Sequence, residues 1–318
     1  MLSRVLGVTG PTVADGPGAA ARIDFGLLSG QSVETSVLDL PHRDPRVVVC
    51  SPCQVGCAFG CRFCGLRKSN SGMDLSADEI IDLVEQSREA GAALFGAGTM
   101  GDGWQLSFMG QGEPLANLDA VREVMDRLAE TPGCTRFGIS TVGIPSGIDR
   151  LAKAPEHIRV MTKLQVSLHA ATDSVRREVM PGTRGWSVRE TINAARGYAQ
   201  ASGRLVCLNY LLMDGVNDDD ASLEALVRLA EPRYFYVKLA ALNHVPGVQM
   251  SPSEPGVVRR FARALKDIGC QVKVWRSTGA SVNAGCGQIG RIATIIPADE
   301  LLLDSVADSF TAVRQLTV

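Results

Sequence analysis

From residue 46 onward the chain alternates between short strand-like runs and longer amphipathic ones, and this alternation restricts the fold more than any other feature. "RVVVC" is followed by "SADEIIDLVEQSREAGA", "QLSFMG" by "NLDAVREVMDRLAE", and "TRFGIST" by "SGIDRLAKA". "KLQVSLHA" precedes "SVRETINAARGYAQASG", "RLVCLNYLL" precedes "DDDASLEALVRLAE", and "YFYVKLAAL" precedes "SEPGVVRRFARALKDIG"; "CQVKVWRS" is the last clear strand. Two helix starts carry capping boxes, Ser76 with Glu79 and Ser187 with Glu190, and Gly203 ends the second helix. Strands and helices in strict alternation call for a parallel sheet wrapped by helices. Roughly six such units are too few for a closed eight-stranded barrel of about 250 residues. The expected fold is therefore α/β, a partial (βα)6 barrel over residues 46–295. Ahead of it, "ARIDFGLLSGQSVETSVLDL" alternates around "SGQ" and predicts a β-hairpin extension at 21–45. Residues 1–20, rich in Gly, Pro and Ala, are expected to be flexible, and 296–318 to form a C-terminal helix.

In such sheets ligands bind at the carboxyl ends of the strands. That rule gathers scattered motifs at one mouth: the cysteine stretch, "GQGEP" (110–114), Ser140, "SLH" (167–169) and Asn243. The chain has nine cysteines, five of them in "CSPCQVGCAFGCRFC" (50–64). Cys57, Cys61 and Cys64 follow the spacing Cys-x-x-x-Cys-x-x-Cys, which can hold three irons of a 4Fe–4S cluster and leave the fourth open. Structural zinc sites show two pairs, or a pair plus His, and no such partner lies nearby, although Cys53 is a fourth thiol in the run. Gly112 allows close backbone approach to a ligand, and Glu113 can accept from an ammonium. Ser140, Ser167 and His169 offer short polar groups that serve equally as local backbone caps. Cys286 stands alone between glycines in "NAGCGQIG", where a lone cysteine is usually a small core residue.

The chain has 318 residues, 45% hydrophobic, with a formal net charge of −2. No apolar run approaches the length of about eighteen residues needed for a membrane span. "MLSRVLGVTGPTVADG" has too short an apolar run for a secretory signal. A cytoplasmic location is expected, where an odd number of clustered thiols serves metals or catalysis more often than disulfides. The charge balance supplies no global field to attract nucleic acid. The locally basic "GTRGWSVRE" and "VVRRFARALK" are read as solvated helix faces.

Cys-x-x-x-Cys-x-aromatic-Cys, with Phe63 as the aromatic, resembles the radical S-adenosylmethionine (SAM) superfamily. There the open iron chelates the amino and carboxylate groups of SAM, and reductive cleavage gives a 5′-deoxyadenosyl radical. "FMGQGEPLANLDAV", "ISTVGIP", "VSLHAATDSVRREVMPG", "YLLMDGVND" and "NAGCGQIG" follow in the order of the RlmN/Cfr family of rRNA adenine methyltransferases. The resemblance implies that Cys57, Cys61 and Cys64 hold the cluster and that Gly112 and Glu113 receive the amino group of SAM. It implies further that Ser140, Ser167 and His169 contact ribose and carboxylate, and Asn243 the adenine. Cys286 would carry a methyl group from one SAM, activated by the radical from a second, so that two are used per turnover. Cys50 would attack the Cys286 sulfur, forming a disulfide and releasing product. Glu34, in "SVETS", matches the family's proton acceptor.

RNA-modifying members of that family carry a further N-terminal helical domain and a basic C-terminal tail. Here about twenty residues precede the hairpin, and "ADELLLDSVADSFTAVRQLTV" is acidic to neutral. The expected activity is methylation of an sp2 carbon in a small heteroaromatic or nucleoside-like substrate, with an electron donor such as flavodoxin or ferredoxin. Adenine in ribosomal or other RNA is the alternative substrate. A non-methylating radical SAM enzyme and a non-catalytic iron–sulfur or zinc sensor are the remaining alternatives.

Overall fold

The computed structural model describes residues 2–12, 18–41, 43–69, 72–96, 103–275 and 288. The chain enters through an antiparallel meander of β1 (Ser3–Thr12), β2 (Ala19–Leu27) and β3 (Ser32–Asp39). β3 pairs antiparallel with β4 (Val47–Ser51), setting Ser36 opposite Cys50. The cysteine loop follows, between the short antiparallel partners β5 (Gln54–Gly56) and β6 (Gly72–Asp74). Thereafter β7 (Trp104–Phe108), β8 (Cys134–Thr141), β9 (Thr162–Ser167), β10 (Val206–Leu212), β11 (Phe235–Ala241) and β12 (Gln271–Trp275) add in sequence order, each parallel to the one before. The hairpin extension is thus continuous with the barrel sheet rather than a separate appendage.

The connecting helices are α1 (Ala77–Phe95), α2 (Leu118–Ala129), α3 (Pro145–Ala152), α4 (Glu156–Met161), α5 (Asp173–Val179), α6 (Val188–Ser202), α7 (Asp220–Leu229) and α8 (Pro255–Asp267). Both expected capping boxes form, at α1 and α6, and Gly203 ends α6 in the left-handed region. Side chains alternate across each strand. Val49, Leu106, Ile139, Val166, Leu208 and Val237 turn to the helices and join one core with Val84, Val121, Ile192 and Phe261. Each such buried aliphatic contributes about 1.5–3 kcal/mol. The intervening positions, among them Cys50, Ser107, Ser140, Gln165, Asn209 and Lys238, fall on the opposite, concave face. Among the described residues, no helix is long and apolar enough to cross a membrane.

The expectation of a flexible N-terminus is corrected for residues 3–12, which run as β1 along β2. Val5 and Val8 pack against the core, and the Asp82 carboxylate of α1 accepts from the Leu2 and Ser3 amides, both at 2.8 Å. The Gly and Pro residues that suggested looseness concentrate after residue 9, while the stretch before them alternates like a strand. The predicted C-terminal helix at 296–318 lies outside the described residues.

Asn117 sits at the N-cap position of α2 without capping it. Its amide instead donates to the buried carbonyls of Cys53 and Leu75, at 2.8 Å each, fastening both ends of the cysteine loop to α2. Replacing it strands the Leu75 carbonyl and leaves that of Cys53 with the Leu75 N–H alone, at 3.2 Å. Asn117→Ala is expected to lower unfolding stability by about 2 kcal/mol or more, read from urea denaturation; an unchanged midpoint would mean the staple contributes nothing.

Candidate active site

At the carboxyl ends of the parallel strands one pocket is lined by Cys57, Cys61 and Cys64 together with Gly112, Glu113, Ser140, Ser167, His169 and Asn243. The three expected cluster cysteines and all of the expected SAM contacts are therefore brought together, whereas Cys286 lies outside the described residues. The cysteine loop is held from several sides. Cys57 N–H donates to Ser69 Oγ at 3.2 Å, and Arg62 N–H to the Val179 carbonyl at 2.9 Å. Gly182 N–H donates to the Phe59 carbonyl at 3.0 Å, and a Cβ on Gly182 would stand 2.6 Å from Phe59 Cα. The "MPG" turn therefore needs a residue without a side chain to seat the loop. Arg67 bridges the carbonyls of Cys64 and Pro246, tying the loop to the segment after β11.

Burial raises the three thiols, Cys57 to about 11, and the neighbouring cysteines add to the rise at Cys57 and Cys61. Thiolates in this pocket repel one another and have lost their water, so they need a cationic centre. No three His, Cys, Asp or Glu side chains among the described residues group tightly enough for a single metal ion. Three thiols on one loop can hold three corners of an iron–sulfur cube and leave the fourth open.

Glu113 is 2% exposed. Its carboxylate accepts from Thr141 Oγ1, from Val142 N–H at 2.7 Å and from Leu115 N–H at 3.0 Å. Burial nevertheless pushes its pKa up to about 7, against those hydrogen bonds and the Arg176 charge. A ligand ammonium would restore the carboxylate. Gly112 places this turn at φ +97°, and a Cβ there would meet Gln54 Cβ at 2.7 Å. Gln54 itself accepts from Glu113 N–H at 2.9 Å and donates to Asp74 at 2.7 Å.

His169 is a non-glycine residue at positive φ, +52°. Its Nδ1 accepts from Leu211 N–H at 3.1 Å, so the proton of the neutral ring sits on Nε2. Burial first, then Arg176 and Lys238, lower its pKa to about 3. Asn217 holds the strained turn, donating to the carbonyls of His169 and Leu211 at 2.6 and 2.7 Å while accepting from Met213 N–H at 2.8 Å. Phe63 packs edge-on against the imidazole with centroids 4.9 Å apart. Ser140 and Ser167 place their hydroxyls 3.5 Å apart.

Arg176 was missed by the sequence reading, although it lies in the quoted "SVRREVMPG". It is 1% exposed and donates to the carbonyls of Val142, Leu168 and Ser167. Its Nη1 is buried without a partner, and its charge acts on both Cys61 and Glu113. Arg176 is not among the residues that line the pocket; it acts on Cys61 and Glu113 through its charge, and the ammonium of an amino acid group is left to Glu113. The residues present thus fit both a cluster and SAM.

Cys50 and Glu34 face the interior rather than the mouth. Cys50 packs with Leu38, Leu40, Val48 and Met109 on the concave face. Glu34 lies on the same face of β3, two residues from the Ser36 that pairs with Cys50 and toward the carboxyl end of β4; it is buried. Cys53 belongs to the separate helix-side core, its thiol 3.6 Å from the Gln111 carbonyl. It is therefore a structural thiol, turned away from Cys50. Cys134 and Cys270 also join that core, whereas Cys207 falls on the concave side with its Sγ 3.4 Å from Asn209 Oδ1.

The Radical SAM superfamily description matches residues 51–227. A probable dual-specificity RNA methyltransferase RlmN of Thermobifida fusca is 36% identical over 266 residues, 82% of this chain and 71% of that protein. The dual-specificity RNA methyltransferase RlmN of Syntrophobacter fumaroxidans is 35% identical over 271 residues, 83% of this chain and 75% of that protein. The chain belongs to the RlmN family of radical SAM methyltransferases. The crystal structure of a radical SAM methyltransferase from Sphaerobacter thermophilus superposes with a TM-score of 0.80 at 33% identity, over 91% of this chain and 81% of that one. A 4Fe–4S cluster and SAM are accordingly its cofactors, and the fold is the radical SAM partial barrel.

Gly112→Ala tests the Glu113 turn. It is expected to leave iron content unchanged while slowing reductive cleavage of SAM to 5′-deoxyadenosine by about a hundredfold, as a misplacement of about 1 Å would. Cleavage at the wild-type rate would separate the turn from SAM positioning.

Proposed function

We propose that this protein methylates an sp2 carbon of a nucleobase-like heteroaromatic ring by a two-cysteine mechanism. The observation that carries the proposal is the pocket itself: three thiols and the buried Glu113 line one mouth, with the Arg176 charge acting on Cys61 and Glu113 from the interior and Cys50 on the concave face of β4. Cys57, Cys61 and Cys64 are the cluster ligands in this reading. Glu113 takes the amino group of SAM, Ser140, Ser167 and His169 its ribose and carboxylate, and Asn243 its adenine. When bound, the cluster and SAM supply a methyl group and a carbon radical.

Within the chain, Cys286 carries the methyl-derived carbon and bonds it to the substrate ring. Glu34 accepts the proton lost from the ring. The odd electron left on the ring would return to the bound cluster. The Cys50 thiolate then attacks the Cys286 sulfur; the carbon–sulfur bond breaks, its electron pair stays on the former methyl carbon, which takes up a proton, and a Cys50–Cys286 disulfide remains for an external thiol to reduce. Such exchange requires the two thiols to touch, and a Cys50 on the inner face suits an attack beneath the cofactors. An electron donor of the flavodoxin or ferredoxin type supplies the cluster, and a cytoplasmic setting keeps the thiols reduced.

A net charge of −2 favours a small nucleoside-like substrate. The second reading, adenine within RNA, is favoured by the names of the RlmN relatives. One experiment addresses mechanism and substrate together. Cys50→Ala protein made in cells should retain a covalent adduct on the peptide containing Cys286, heavier by the substrate and one bridging carbon. The adduct mass distinguishes a metabolite from an RNA fragment. Cys286→Ala should abolish both adduct and transfer while leaving the cluster in place. Repeated turnover by Cys50→Ala, with no adduct, would eliminate the two-cysteine scheme.

A further inference from the structure

Below the mouth, the concave face carries a concentration of positive charge that the methyl-transfer scheme does not use. Lys163 on β9, Lys238 on β11 and Lys273 on β12 fall on this face, with Arg136 on β8 and Arg43 from the β3–β4 loop. Pairing sets Lys163 beside Gly138, and Lys238 directly beside Lys273. Two rings gather the cations. Lys163 and Lys273 lie 5.7 and 5.2 Å from the centre of the Tyr236 ring. Lys238 and Arg43 lie 5.6 and 5.9 Å from that of Trp275. Lys238 also donates to Gln165 Oε1 at 3.1 Å, and Arg136 to the Asp44 carbonyl at 2.7 Å. Those acceptors and rings are neutral. Among the described residues, none of the five cations forms an ion pair with a carboxylate.

Five like charges converging without a counter-charge oppose one another. Burial first, and then the surrounding cations, lower Lys163 to about 8 and also lower Arg43. A fold tolerates such an arrangement where an anion arrives to complete it. Of the five cations Lys238, with Trp275, lines the same pocket as Ser167, His169 and Asn243, so the charged cluster reaches the cofactor mouth through Lys238. An anion seated there would hold its attached ring under that mouth, on the face that carries Cys50.

We propose that Lys163, Lys238, Lys273, Arg43 and Arg136 form a phosphate subsite that anchors a phosphorylated nucleoside beneath the cofactors. This rests on the base-methylating reading above and sharpens it: the substrate enters as a nucleotide, not as a free base or nucleoside. The phosphate is that of a mononucleotide or of a polynucleotide backbone, since both present the same group to the same cations.

Anaerobic titration calorimetry on the cluster-loaded protein tests the subsite without requiring methyl transfer. The probes are adenosine, adenosine 5′-monophosphate and a short adenine-containing oligoribonucleotide. Adenosine 5′-monophosphate should bind about tenfold or more tightly than adenosine, as a charge pair formed away from bulk water allows. Lys163→Gln with Lys238→Gln should erase that difference. Lys273→Gln, at an exposed position whose loss leaves folding intact, should reduce it alone. An oligoribonucleotide that binds where the mononucleotide does not, and weakens under the same substitutions, supports the subsite and assigns its phosphate to a polymer. Equal binding of adenosine and its monophosphate with no response of the oligoribonucleotide, or phosphate-dependent binding indifferent to the lysines, overturns it. Methyl transfer failing in the Cys50 experiment would leave this outcome untouched, so the two proposals fall separately.

Discussion

Three half-buried thiols that must ionise together repel one another, and the mouth of the barrel is arranged around that repulsion. None of the three is held by a side chain of its own neighbourhood alone. Asn117 fixes the loop from α2, Arg67 within the loop reaches the Pro246 carbonyl after β11, and the "MPG" turn donates to the Phe59 carbonyl. Glu113 in the pocket and the buried Arg176, whose charge acts on it, are each held by backbone groups just past the ends of β8 and β9. The restraints come from elements spread over most of the barrel, so the geometry of the cluster site depends on the assembled sheet.

The second organising fact is that the parallel sheet has two unlike faces. Parallel sheets are generally covered on both sides by helices and read as continuous apolar runs. Here the outward positions are apolar, and the inward ones include Ser, Gln, Asn, Lys and Cys beside an apolar patch of Leu38, Val48 and Met109 around Cys50. Curvature makes this workable: the inner face closes on a space that ligands and water can fill, so its polar groups need no apolar partner. Cys50 and Glu34, which contribute nothing to the mouth, belong to this inner surface through the antiparallel pairing of β3 with β4.

How much of this was legible in the sequence follows from the range of each interaction. Helices with local caps, such as Ser187 with Glu190, announce themselves within four residues, and they appeared where expected. The cysteine spacing and the strand-end rule likewise placed Cys57, Glu113 and His169 at one mouth. β1 was lost because averaging over twenty residues hid its alternation behind the glycines and prolines that follow it. Asn117 and Asn217 were invisible because their partners lie at sequence distances of up to 64 residues, and a lone Asn has no pattern. The basic floor was hidden for the same reason: Lys163, Lys238 and Lys273 each occupy a different strand, and only strand pairing brings them together.

The meander of β1 to β3 also acts as an insulator. β4 is a short run of Val, Val, Val, Cys and Ser whose outer hydrogen-bonding edge is occupied by β3. Stripped of that cover, it would be a bare apolar edge ready to recruit another chain. Such recruitment would also bring Cys50 of one molecule toward Cys50 of the next, joining two aberrations, sheet extension and intermolecular oxidation, at one exposed seam.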